Sequence, residues 1–275
     1  MNGEPRRVTL CADDYGISPG VNRAICELIA RKRLNATSVM VIGSAIGRSD
    51  VAALKEALAS HPGCAVGLHV TLTAPFHPLT MYFRPLDGGL FLPLAAMLRA
   101  SLLYRLDPQM LHGEITAQLA QFVDLFGRAP DYADGHQHVQ LFPQVRDAFV
   151  DAVKKAAPQA WVRQCGRSRA ALTNPKTLLL DVLSAKFRRL CSQANVEFNP
   201  GFAGAYDFSK ASDFAALMEG FLKSVPDGGL VMCHPGFVDD VLISLDPLTH
   251  QREREYEFLS GDEFPKILAA SNVTL

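Results

Sequence analysis

The chain has 275 residues, 48% of them hydrophobic and 20% charged, with 27 Lys and Arg set against 28 Asp and Glu. That apolar content excludes a disordered chain and is ample for one filled core, and α/β barrels often reach this size as one domain. A formal net charge of −1 excludes a sequence-independent grip on nucleic acid, which needs a basic face to displace counterions.

Short β-branched runs alternate with longer segments of helical period. Val8–Ala12 reads as the first strand, and Ser18-Pro19-Gly20 opens an amphipathic helix over Val21–Arg33. Ser38–Ile42 is the second strand, Ser49–Ser60 a helix, and Ala65–Leu72 the third strand. Thr73 to Gly89, with three prolines and a Gly-Gly pair, is a loop too long to be mere connection. Helices are expected at Leu94–Tyr104 and Leu111–Phe126, a strand at Tyr132–Asp134, a helix at Gln144–Ala156, and a strand at Trp161–Arg163. A long helix over Pro175–Gln193, a strand at Val196–Phe198, a helix at Ala211–Ser224, a strand at Gly229–Cys233 and a helix at Asp262–Ser271 complete the chain. There is no internal repeat and no low-complexity segment.

The six cysteines form no C-x-x-C pair and no framework spacing, so reduced thiols in a reducing compartment are expected. Met1 to Leu10 carries no leader pattern, and no uncharged apolar run reaches the length of a membrane span. The expectation is one cytoplasmic domain over residues 1–275.

Seven strands alternating with helices imply a parallel sheet covered by helices. The polar residues fall at strand carboxyl ends: Asp13 and Asp14 after the first strand, His69 late in the third, Asp134, His136 and His138 after the fourth, Arg163 after the fifth and His234 after the seventh. Barrel enzymes assemble their sites at that end, so a closed barrel is the economical reading.

Each of these residues has a plain structural explanation when taken singly. Asp is favoured in the turn after a strand, and a histidine in an apolar strand is commonly a hydrogen-bonded core residue. The combination says more. One carboxylate and two imidazoles on three strands make a three-point metal site with a position left open for water, as in a catalytic centre. A spare carboxylate and a spare histidine would supply base and acid. Cys233 as a nucleophile is the lesser alternative, because no activating partner is evident.

The segments Ala12 to Asn22 (ADDYGISPGVN), Gly67 to Thr73 (GLHVTLT), Asp134 to Val139 (DGHQHV) and Cys233 to Gly236 (CHPG) resemble the YdjC-like carbohydrate deacetylase family, in the family's order and from residue 8 to about 260. The resemblance implies an α/β fold of about seven parallel strands, an irregular (β/α) barrel of the glycoside hydrolase/deacetylase type. It also implies one divalent metal ion and the loss of acetate from an N-acetylated sugar. Carried over residue by residue, Asp14, His69 and His136 would be metal ligands, Asp13 the general base and His234 the general acid. Arg163 would tether the catalytic carboxylate, and His138 would stand behind the ligands or face substrate. Gln140 stands where many relatives carry a further histidine, so it is given no role.

Two imidazoles and a carboxylate favour zinc, although the family is often described with magnesium. Phe202 and Tyr206 offer an aromatic wall for a sugar ring, or core packing. CADDYG, DGHQHV and Val162 to Gly166 are similar to the hopanoid-biosynthesis-associated branch of the family. That likeness implies an N-acetylglucosaminyl triterpenoid lipid as substrate. Apolar-basic stretches from Leu90 to Tyr104 and Leu178 to Leu190 suit peripheral contact with the inner face of a membrane, or the buried faces of barrel helices. The competing functions are hydrolysis of another bond, such as a phosphoester, and an inactive carbohydrate- or lipid-binding protein. Oligomeric state is not legible.

Overall fold

The computed structural model describes residues 4–167, 175–208 and 213–275; the expected helix start at Ala211 lies outside them. β1 (Thr9–Tyr15) leads into α1 (Pro19–Ala30), β2 (Ala36–Val39) into α2 (Arg48–Ala59), and β3 (Ala65–Val70) through a long loop into α3 (Leu94–Leu102) and α4 (Pro108–Phe126). β4 (Tyr132–Gly135) precedes α5 (Val145–Ala156), β5 (Trp161–Val162) precedes α6 (Pro175–Ala194), and β6 (Phe202–Ala203) precedes α7 (Phe214–Ser224). β7 (Leu230–Cys233) is followed by α8 (Asp240–Leu245), α9 (His250–Ser260) and α10 (Glu263–Ala270).

The helices start where local chemistry allows. Ser18 accepts a hydrogen bond from the Val21 N–H and Pro19 fills the first turn of α1, where a missing N–H costs nothing. Asp107 caps α4 in the same way, and Gly127, at φ 74°, ends it.

The seven strands form one parallel sheet in the order β5-β4-β3-β2-β1-β7-β6. The sheet curls, and the segment after α6 links its two edges. The Val162 N–H donates to Glu197 O at 2.8 Å, Phe198 bridges Val162, and Leu230 N–H donates to Gly201 O at 2.9 Å. The Asn199 side chain fastens this crossing, accepting from the Gln164 N–H and donating to Gln164 O and Gly201 O. The result is an irregular barrel with its helices outside.

Register decides what meets at the carboxyl ends. Ala12 pairs with Cys233, so Asp13 and His234 leave adjacent strands at one level. Direct pairing of β1 with β7, rather than closure across the barrel, brings them together. His69 pairs with Asp134, and Ala133 pairs with Val162, the residue before Arg163.

Several segments differ from the sequence reading: the second strand runs over Ala36–Val39 and not Ser38–Ile42, and Arg6–Arg7 pairs with Val273–Thr274. The expected strand Val196–Phe198 is a single bridge, and the sixth strand forms at Phe202–Ala203, beyond Asn199-Pro200, because the chain there crosses from one sheet edge to the other. The loop after β3 contains an antiparallel pair, Leu86–Asp87 with Leu90–Phe91. Its Leu79 and Thr80 N–H groups and the Thr80 hydroxyl donate to the buried Glu114 carboxylate of α4. Finally, α8 and α9 were not anticipated, since the HQREREYEFLS sequence of α9 has no apolar stripe. All six cysteines are free. Among the described residues, no helix is long and apolar enough to cross a membrane.

Candidate metal centre

The carboxyl ends of β1, β3, β4 and β7 surround a cleft of about 430 Å³ lined by Asp13, Asp14, His69, His136, His138 and His234, with Gln137, Phe208, Met232 and the stretch Asp246-Pro247-Leu248 and Gln251 completing it. Asp14 sits at φ 70° at an irregularity in β1, a left-handed conformation rare outside glycine. That turn sends Asp13 and Asp14 in different directions. Gln137 and His138 also have positive φ, directly after the β4 end. Backbone strain of this kind persists only where surrounding contacts fix it.

Donor atoms of Asp14, His69 and His136 lie within 4.8 Å of one another, and all three residues are buried. Asp14 Oδ1 is 3.3 Å from His69 Nε2 and 3.0 Å from His136 Nδ1. His69 Nδ1 lies 2.6 Å from Asp134 Oδ1. That carboxylate, paired with a guanidinium, is an acceptor, so Nδ1 carries the proton. Nε2 of a neutral His69 then aims its lone pair at an Asp14 oxygen, an arrangement that only a proton or a metal ion between them makes favourable. Burial opposes a charged imidazole, yet the Asp134 and Asp13 carboxylates outweigh it and hold His69 up to about 10. The pocket calls for positive charge, and its donor set of two imidazoles and one carboxylate with open access fits a divalent cation.

Asp13 belongs to a second arrangement behind this one. Arg163, fully buried, donates to both its oxygens at 2.6 and 2.7 Å. Arg163 also pairs with Asp134 and reaches Ser38 Oγ at 3.1 Å. Ser38 donates to Asp134 at 2.6 Å, and Tyr132 OH lies 2.9 Å from both Ser38 Oγ and Cys11 Sγ. Cys11, Asp13 and Asp134 are themselves close enough to hold an ion, but the guanidinium already supplies the cation there. Burial would raise the Asp13 carboxyl; Arg163 overrides it and keeps it well below the usual range.

His234 turns its ring into the cleft, with no hydrogen-bond partner for Nδ1 among the described residues and Phe208 edge-on at 5.5 Å. Burial lowers its pKa despite the Asp14 and Asp13 charges. Its backbone N–H donates to Glu255 Oε2 at 2.5 Å, and Tyr206 OH donates to Glu255 Oε1 at 2.6 Å. His138 is pushed down to about 3 by burial and by the Arg163 charge, and its Nδ1 lies 3.4 Å from Cys165 Sγ.

The structure thus brings Asp13, Asp14, His69, His136, His138 and His234 to one cleft, with Arg163 behind Asp13. Phe202 and Tyr206 are not on the cleft surface: Phe202 packs edge-on against His138 at 5.7 Å, Tyr206 holds Glu255, and Phe208 is the aromatic side chain facing the cavity. Cys233 is buried, and its thiol is raised well above the usual range by burial, which leaves no activated nucleophile there. The sequence reading missed Arg252, Asp246 and Glu255. Arg252 NH2 donates to Asp14 Oδ2 and to Asp246 Oδ2, both at 2.6 Å. Nothing in a run of alternating charges marks which of them are buried; the apolar Tyr256, Phe258 and Leu259 that follow were the available hint of a packed helix.

The family model described as YdjC-like protein matches residues 7–270. Among solved structures, the chain is similar to a protein from Enterococcus faecalis V583 provisionally described as a cellobiose-phosphate cleavage protein, with 21% identity, a TM-score of 0.74, and coverage of 99% of this chain and 97% of the other. It is also similar to the lactam utilization protein from Thermus thermophilus, with 14% identity, a TM-score of 0.55, and coverage of 98% of each chain. At these identities the likeness is one of fold.

Proposed function

The chain belongs to the YdjC-like protein family, and on that premise we propose that it is a metal-dependent hydrolase, one catalytic domain that removes the acetyl group from an N-acetylated sugar. The observation that carries this reading is the convergence of Asp14, His69 and His136 beside Asp13 and His234 in one cleft. A divalent cation held by those three residues would polarise the acetyl carbonyl and lower the pKa of a water molecule. The two imidazoles favour zinc over magnesium.

The remaining chemistry belongs to the side chains. Asp13, kept ionised and oriented by Arg163, takes a proton from the attacking water. His234 gives a proton to the departing sugar nitrogen, because an amide anion does not leave. Burial favours the neutral form of His234, which makes it a ready donor once protonated. His138 is neutral and offers a hydrogen bond to the sugar. As substrate we assign an N-acetylglucosaminyl hopanoid, whose aglycone is a triterpenoid lipid, with the enzyme at the inner face of the membrane. The exposed Met81, Tyr82, Leu102, Leu103 and Tyr104 support that assignment.

The test is to incubate the metal-loaded protein with an N-acetylglucosaminyl lipid, with chito-oligosaccharides and with a sugar phosphate, and to measure acetate and phosphate. Acetate from a sugar substrate supports the reading, with the lipid fastest if the aglycone assignment holds. Phosphate without acetate overturns it.

A further inference from the structure

Asp14 must present one oxygen to two imidazoles, and nothing on β1 itself fixes which one. The fixing contact comes from the far end of the chain. Arg252 on α9 is fully buried, and its NH2 donates to Asp14 Oδ2 at 2.6 Å. The same nitrogen donates to Asp246 Oδ2 at 2.6 Å, and Nε donates to Leu248 O at 2.9 Å. Asp246 is in turn held by the Leu248 N–H, which donates to its Oδ1 at 2.8 Å. Arg252 NH1 is buried and has no hydrogen-bond partner among the described residues, so the guanidinium is not placed for greatest hydrogen bonding; it is placed so that one nitrogen spans two carboxylates. We infer that Arg252 is a positioning residue that occupies Asp14 Oδ2, so that Asp14 offers only Oδ1 to a cation shared with His69 and His136.

This inference rests on the reading that those three residues hold a divalent ion. With Oδ2 engaged, Asp14 neither rotates nor binds through both oxygens, and a coordination position stays open for substrate or water. Partners that orient a ligand in this way typically change metal affinity or activity by about 10–100-fold when removed. The guanidinium charge by itself would repel a cation, so a role in charge alone and a role in orientation predict opposite results.

The experiment titrates metal-free protein with zinc by calorimetry and compares the wild type with Arg252→Lys, Arg252→Met and Asp246→Asn. Each fold is checked by circular dichroism and by unfolding of the metal-free form. Lysine keeps the charge but loses the rigid fork. Both Arg252 variants are expected to bind zinc about 10–100-fold more weakly per folded molecule, and Asp246→Asn is expected to weaken it in the same direction. Wild-type or tighter zinc affinity in either folded Arg252 variant overturns the inference while the three-donor site stands. If the Arg252 variants do not fold, unchanged zinc affinity in Asp246→Asn overturns it. Failure of the wild type to take up zinc overturns both the inference and the metal reading.

Discussion

Arg163→Met replaces the buried cation beneath the cleft by a shorter, neutral, unbranched side chain. In the wild type the guanidinium meets Asp13 through two nitrogens at 2.6 and 2.7 Å and also pairs with Asp134. Methionine leaves both carboxylates buried without their cation. Breaking one buried pair costs about 3–5 kcal/mol, and two stranded carboxylates, partly relieved by His69, place the loss near the top of that range. The penalty depends on pH. In the wild type the Asp13 carboxyl lies below its unfolded value of about 3.9, so its contribution is fully present above that value and is lost only as pH falls through the folded one. In the variant, burial of Asp13 is opposed only by the His69 and His234 charges, and its carboxyl rises. The folded variant then binds protons more tightly than its unfolded chain and gains stability as pH falls. Urea unfolding of metal-free protein should therefore show the largest difference near neutral pH and a smaller one at about pH 5. A loss below about 1 kcal/mol, the worth of a surface pair, or a loss that does not change between those pH values, would refute the reasoning.

Glu255, raised by burial to about 7, holds its proton in the folded state between its unfolded value of about 4.3 and about 7. Wild-type stability should therefore fall as pH rises through that window; Glu255→Gln should flatten this slope and be the more stable protein at alkaline pH, and unfolding midpoints that order the other way contradict the assignment. At Gly67 an added Cβ would lie 2.4 Å from the Tyr132 ring, which is stacked on Trp161 and bonded to Cys11 and Ser38. Gly67→Ala should accordingly cost about 1–3 kcal/mol by overpacking, measured by urea unfolding, and a neutral result means that the ring can yield. Asp13→Asn and His234→Ala should each lower turnover of an N-acetylated sugar by about 10²–10⁴-fold while zinc binding persists; near-wild-type rates with metal bound remove both from proton transfer.

Much of the barrel was legible because its signals are local. Apolar β-branched runs such as Ala65–Val70 and helices such as Pro19–Ala30 fall close to where period and capping residues put them. The clustering of Asp13, Asp14, His69, His136 and His234 could also be expected, since each sits at a strand carboxyl end, and parallel register does the rest. Contacts that depend on burial were not legible. Arg252 and Glu255 lie three residues apart on a helix whose sequence reads as a solvated face, and only their burial and their bonds to Asp14 and to the His234 N–H distinguish them from their exposed neighbours. The sixth strand was misplaced for a related reason. Val196-Glu197-Phe198 alternates as a strand should, but pairing partners, not propensity, decided that Phe202–Ala203 joins the sheet.

The most direct test of the account is anomalous diffraction from crystals of zinc-loaded protein, collected across the zinc edge. The account predicts one ion per chain, bound by Asp14 Oδ1 and by one nitrogen each of His69 and His136, at about 2.0–2.2 Å. An ion bound elsewhere in the chain, or a cleft that stays free of zinc at saturating concentration, would contradict it.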